Sequence, residues 1–230
     1  MILNGKFAAA AAALGLALVA SAEANASVLT FDGNICFGGN ACGNGSLIDQ
    51  TYGDTATVDV QYNRDVTNGA FTTGAAGSEL SWWDTGYNNL VNVAWGGFHP
   101  GSGTPMIFLK PMAGLAVVLN GFDLGGFPNS QNATQVTIVN GLNQVLYASG
   151  AITAGTGPFV ARHFSFNLSS ASGIGIQWGP DGFNVGIDNV DFTTAAVTGV
   201  PELGTWALML AGVGLAGAAL RARRRATAAA

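Results

Sequence analysis

Three observations predict an all-β protein: a single antiparallel β-sandwich or jelly-roll domain, with a removable leader before it and one membrane helix after it. Short apolar runs alternate with polar residues at period two, which marks strands with one face buried. Glycine is abundant, 34 of 230 residues, and Asn, Ser and Thr fill the gaps between the runs. No central stretch keeps helical periodicity over three turns, so many short strands with frequent turn signals fit best.

The first element is not a strand. Lys6, an apolar run over 7–20 and the small residues Ala24-Asn25-Ala26 follow the order of a secretory signal, and the run is too short to span a bilayer. Residues 1–26 are expected to be removed after export through the Sec pathway, leaving Ser27 as the new N-terminus.

The central segment, 27–199, reads as one extracellular domain with no internal repeat and no dividing linker. Strands are expected over 28–31, 57–62, 91–95, 106–110, 116–119, 136–139, 144–148, 162–166, 174–178 and 185–192. Val58, Val60 and Tyr62 share one face of the second run; Ile174, Ile176 and Trp178 repeat the pattern in the ninth. Asn140-Gly141 reads as a hairpin turn, because both residues tolerate positive φ. Cys36 and Cys42, the two cysteines of an exported chain, are expected to form a disulfide.

Charge excludes one class of function. Arg64, Lys110 and Arg162 stand against eleven acidic residues in 27–199, a formal charge of −8. Such a surface repels nucleic acid, since phosphate binding needs lysine and arginine to displace counterions. Cations and neutral glycans suit it better.

Catalytic signals are sparse. His99 lies in a glycine-rich loop and His163 in an alternating run, and neither sits in a motif that names a partner. There is no nucleophile elbow and no HExxH zinc helix, so the expectation is a protein without enzymatic chemistry. Two binding readings remain. Asp32 ends the first expected strand, while Asp188 and Asp191 lie in the last; first and last strands of a sandwich are often neighbours, and carboxylates are calcium ligands. This arrangement is similar to jelly-roll carbohydrate-binding modules, whose structural calcium is held by residues of terminal strands. Regular alternation puts Ile187, Asn189 and Asp191 on one face and Asp188 on the other, so Asp188 and Asp191 need a bulge to reach one site; otherwise these acids cap turns. The second reading is a glycan contact. Trp82 and Trp83 point to opposite faces of a regular strand, so one is core, and the other either meets a sugar beside Tyr87 and Asn88 or packs under a loop.

The last element is an apolar run over 204–220, followed by Arg221, Arg223, Arg224 and Arg225. As a helix it rises about 25 Å, enough for one thin membrane span, and the arginines favour the cytoplasmic side. The order Val200-Pro201-Glu202, Trp206-Ala207, apolar helix and arginine cluster resembles the PEP-CTERM sorting signal over residues 200–230. Leu203 stands where that signal usually has a second proline. The resemblance implies a surface or matrix protein of a Gram-negative, exopolysaccharide-producing bacterium. It also implies an exosortase-like membrane protease as processing partner. An ordinary single-pass anchor would share the topology without the processing. For the domain itself, binding or organising exopolysaccharide is the expectation; a purely structural or adhesive matrix component and a secreted hydrolase are the alternatives.

Overall fold

The computed structural model describes residues 26–66, 79–96 and 103–197 and the backbone of 203–228, with helical side chains at 208–219 and 221. Outside the described residues lie 1–25 of the expected leader, His99, and Val200, Pro201 and Glu202 of the sorting motif. The side chains of Trp206, Ala207, Arg223, Arg224 and Arg225 are outside them too.

The described residues form strands β1 (Ala26–Leu29), β2 (Val58–Asn63), β3 (Ser81–Trp83), β4 (Val93–Trp95), β5 (Met106–Pro111), β6 (Leu115–Gly126), β7 (Ala133–Asn140), β8 (Val145–Ala148), β9 (Ile152–Thr153), β10 (Gly155–Gly157), β11 (Val160–Ser170), β12 (Ile174–Gly179) and β13 (Val185–Ala196). The pairings among them are antiparallel. One sheet runs β10-β11-β6-β13-β4-β3, with β1 added on β13; the other runs β2-β5-β12-β7-β8, with β9 added on β7. Inward residues of the two sheets make one core. Val58, Val60, Tyr62, Ile107, Leu109, Ile138, Ile176 and Trp178 on one side meet Val117, Leu119, Phe122, Leu124, Val185, Ile187 and Phe192 on the other. The expected sandwich is therefore present, driven by burial of one face of each sheet.

β13 organises the larger sheet. It pairs with β6 from Val185 to Ala196, while on its other side β4 takes Gly186 and Ile187 and β1 takes Val190 to Thr193. Ala26 lies opposite Thr193, so the domain's first and last strands are neighbours and its chain ends lie together. β1 starts at Ala26, so a cut after that residue leaves Ser27 already within the strand.

The exposed edge of β2 is covered by side chains instead of another strand. The Gln50 amide donates from Nε2 to Tyr62 O (2.8 Å) and accepts at Oε1 from Tyr62 N–H (3.0 Å). Asp54 Oδ1 accepts from Val60 N–H at 2.8 Å. An open row of backbone groups there would invite pairing with another chain. The Cys36–Cys42 disulfide closes the loop after β1, as expected.

The β7–β8 connection differs from the expected Asn-Gly turn. Its positive φ falls on Asn143 (59°), and Asn140 O accepts from Asn143 N–H at 2.9 Å. Gly141 is needed for another reason: a Cβ there would collide with Ser172 O of the neighbouring loop. At the C-terminus, α1 (Leu203–Ala228) is one continuous helix, and its side chains at 208–219 are all exposed. Among the described residues no helix is long and apolar enough to cross a membrane; 204–207 and 220, the ends of the expected span, lie outside the described side chains.

Candidate functional site

Strand alternation builds a groove on the outer face of the six-stranded sheet. β12 turns Ile174, Ile176 and Trp178 into the core, which leaves Gln177 pointing out. β7 buries Thr134, Val136 and Ile138 and presents Gln135 and Thr137. The register sets Thr137 opposite Gln177, and Gln135 opposite Gly179. Thr104 closes one side and the cis Gly179-Pro180 step another, with Trp178 below. The wall is tightly fitted: Gly182 N–H donates to Gly103 O at 3.1 Å, and a Cβ on Gly182 would collide with Pro105. The resulting hollow holds about 320 Å³, at the lower end of small-ligand sites. Its described lining combines the hydroxyls and amides of Thr104, Gln135, Thr137 and Gln177 with the apolar Trp178 and Pro180, and holds no charged side chain.

The outer face of the seven-stranded sheet carries a different group. A bulge falls between Asp188 and Asp191, with Asn189 at φ +52°. This corrects the regular alternation expected for the strand: Ile187 and Val190 are both buried in the core, which moves Asn189 out of register. The bulge nevertheless fails to unite the three expected calcium ligands. Asp191 turns to Asn120, accepting from its Nδ2 at 3.0 Å. Asp188 lies near Asp32, as expected from neighbouring terminal strands, and near Asp123 of β6. Asp32 in turn accepts from Asn92 Nδ2. Asp188 is only 5% exposed, and burial pushes its carboxyl up to about 7; the Asn189 N–H bond (2.7 Å) opposes this, while the charges of Asp32 and Asp123 add to it. Among the described residues, no group of three or more His, Cys, Asp or Glu side chains gathers closely enough to hold a metal ion.

The four residues read as glycan contacts are engaged in packing. Trp82 joins the edge of the main core and donates from Nε1 to Phe31 O at 2.9 Å. Trp83 packs edge-on against Trp95 (5.7 Å between centroids) and Phe127 (5.6 Å). Tyr87 donates its hydroxyl to Phe183 O at 2.8 Å, and burial raises its phenol. The Asn88 amide accepts from Gly126 N–H (2.6 Å) and donates to Ser130 O and Gly157 O (both 3.3 Å), so it ties the ends of β6 and β10 to the loop that follows β6. Trp83, Tyr87, Trp95, Phe127 and Phe183 leave between them a hollow of about 10 Å³, no larger than one water. The period-two pattern carried a signal for the outward Gln135, Thr137 and Gln177; what gathers Thr104 and Pro180 beside them is pairing between distant strands.

No family model, no curated protein and no solved structure matches this chain.

Proposed function

We propose that this chain is an exported surface or matrix protein whose sandwich binds neutral extracellular polysaccharide in the groove of the six-stranded sheet. The groove carries the reading. Gln135, Thr137, Gln177 and Thr104 supply paired donors and acceptors for sugar hydroxyls, and no lysine or arginine is in the described lining to select an acidic sugar. The formal charge of −8 over 27–199 also disfavours anionic polymers. Export and sorting rest on the leader and on the tail, where the 203–228 helix ends in arginines after a Val-Pro-Glu motif. That order supports temporary anchoring in the membrane and processing by an exosortase-like protease.

Calcium remains part of the reading only as a counter-charge beside Asp32 and the buried Asp188, since Asp191 is turned to Asn120. A purely structural or adhesive matrix role is favoured by one observation: the tryptophans suited to stacking on a pyranose are packed inward. A panel of polysaccharides titrated against the purified full-length protein, with calcium and with chelator, separates the readings. Saturable binding to a neutral glycan is expected, weakened at least about tenfold by Gln135→Ala with Gln177→Ala, the loss of two outward-facing hydrogen-bonding side chains. Binding that the double variant leaves intact places the ligand elsewhere. No saturable binding in either condition leaves the matrix role.

A further inference from the structure

His163, which the sequence left without a partner, has two. On β11, His163 and Ser165 are two residues apart and share a face; across the ladder, Asp123 of β6 pairs with His163 and Gly121 pairs with Ser165. The imidazole lies along this ladder, with Nδ1 2.7 Å from Asp123 Oδ1 and Nε2 3.1 Å from Ser165 Oγ. Gly121 lets β11 approach closely beside the ring, since a Cβ there would sit 2.5 Å from Phe164 O while making only ordinary contact with ring Cε1 at 3.4 Å. The second Asp123 oxygen accepts from Asn189 Nδ2 at 2.9 Å, so the β13 bulge fixes the carboxylate from behind. A hydroxyl within reach of a base, with the base oriented by an acid that is itself held, is the arrangement that activates a nucleophile.

The geometry points to Ser165 as a nucleophile toward acyl esters, with His163 as its general base and Asp123 as the residue that positions the imidazole. With Nδ1–H donated to Asp123, Nε2 keeps its lone pair for the Ser165 O–H. Ser165 Oγ bonds to the ester carbonyl carbon and its proton passes to Nε2. The ester C–O bond then breaks, and the leaving alkoxide takes that proton. Water repeats the sequence on the acyl-serine, releasing the carboxylic acid and restoring the hydroxyl. The His163 side chain is 64% exposed and Ser165 is also exposed, so an ester carried on a large polymer can reach the site as readily as a small one. The same openness leaves the oxyanion to solvent water, which sets a slow turnover.

Full-length protein treated with a fluorophosphonate, followed by peptide mapping, tests this. Ser169, exposed on the same strand, is the internal reference. Ser165 is expected to be phosphonylated about 100-fold faster than Ser169, the contribution of one positioned general base. His163→Gln should bring Ser165 down to the Ser169 rate, and Asp123→Asn should slow it. Slow hydrolysis of p-nitrophenyl acetate should be lost in Ser165→Ala. Equal labelling of the two serines, no adduct at Ser165, or unchanged labelling in His163→Gln overturns the assignment; because His163 and Ser165 are exposed, unchanged melting curves will show that the variants are folded.

Discussion

Asp188 is a carboxyl held away from water, with the Asn189 N–H as its hydrogen-bond donor and two further carboxylates nearby. Its folded value of about 7 lies above the ordinary 3.8, so the folded state holds a proton that the unfolded state has released. Stability from this group is complete below about pH 4 and is lost as pH rises through about 7. Asp188→Asn keeps the shape without the charge. The variant should equal wild type near pH 4 and exceed it by about 2 kcal/mol at pH 8 in denaturant titrations, a value below the full linkage figure because the surroundings relax around a buried charge. A variant less stable than wild type at pH 8 in calcium, but not in chelator, would instead show that the carboxylate is used as a ligand. The meeting of Asp32 with Asp188 was legible, because it follows from the adjacency of terminal strands. Asp123 was not, since it reaches them from mid-chain through β6. Asn88 misled for a similar reason: polarity beside tryptophans looks like a sugar contact, and only the fold reveals three backbone groups waiting for its amide.

Strands with strong alternation were readable because their information is local. β2 and β12 lie within a residue of where the pattern puts them, with the expected faces inward, and β5 lies within a residue of its expected span. β3, β9 and β10 are two or three residues long, too short for a period to show. β6 and β13 extend to twelve residues each, past the apolar runs, through bulges that no alternation can express. The edge of β2 was equally hidden, because its partner is a glutamine side chain from a turn. Removing that side chain should matter at the level of the strand. Gln50→Ala is expected to cost about 1–2 kcal/mol for two lost hydrogen bonds, read by thermal or chemical melting. It should also raise light scattering on storage, because the uncovered edge can pair between molecules. A variant that melts and scatters like wild type would show that the edge needs no cover.

At the scale of the whole molecule the groove and the chain ends are kept apart. The neutral groove lies at the end where β12 passes into β13, whereas Ala26, opposite Thr193, and Ala196 lie towards the other end of β13. A tether at either terminus therefore leaves the groove facing outward. Because β13 is both the last strand made and the one gripped by β6, β4 and β1, the order of synthesis is built into the architecture. A ribosome must deliver nearly the whole domain before its first strand meets its permanent neighbour, and contacts that distant in sequence close slowly. A chain ending at residue 184 should remain protease-sensitive, while one ending at 197 should acquire full resistance. An unfinished copy thus stays unfolded, which is the state that the export we propose would require of a chain entering a translocation channel.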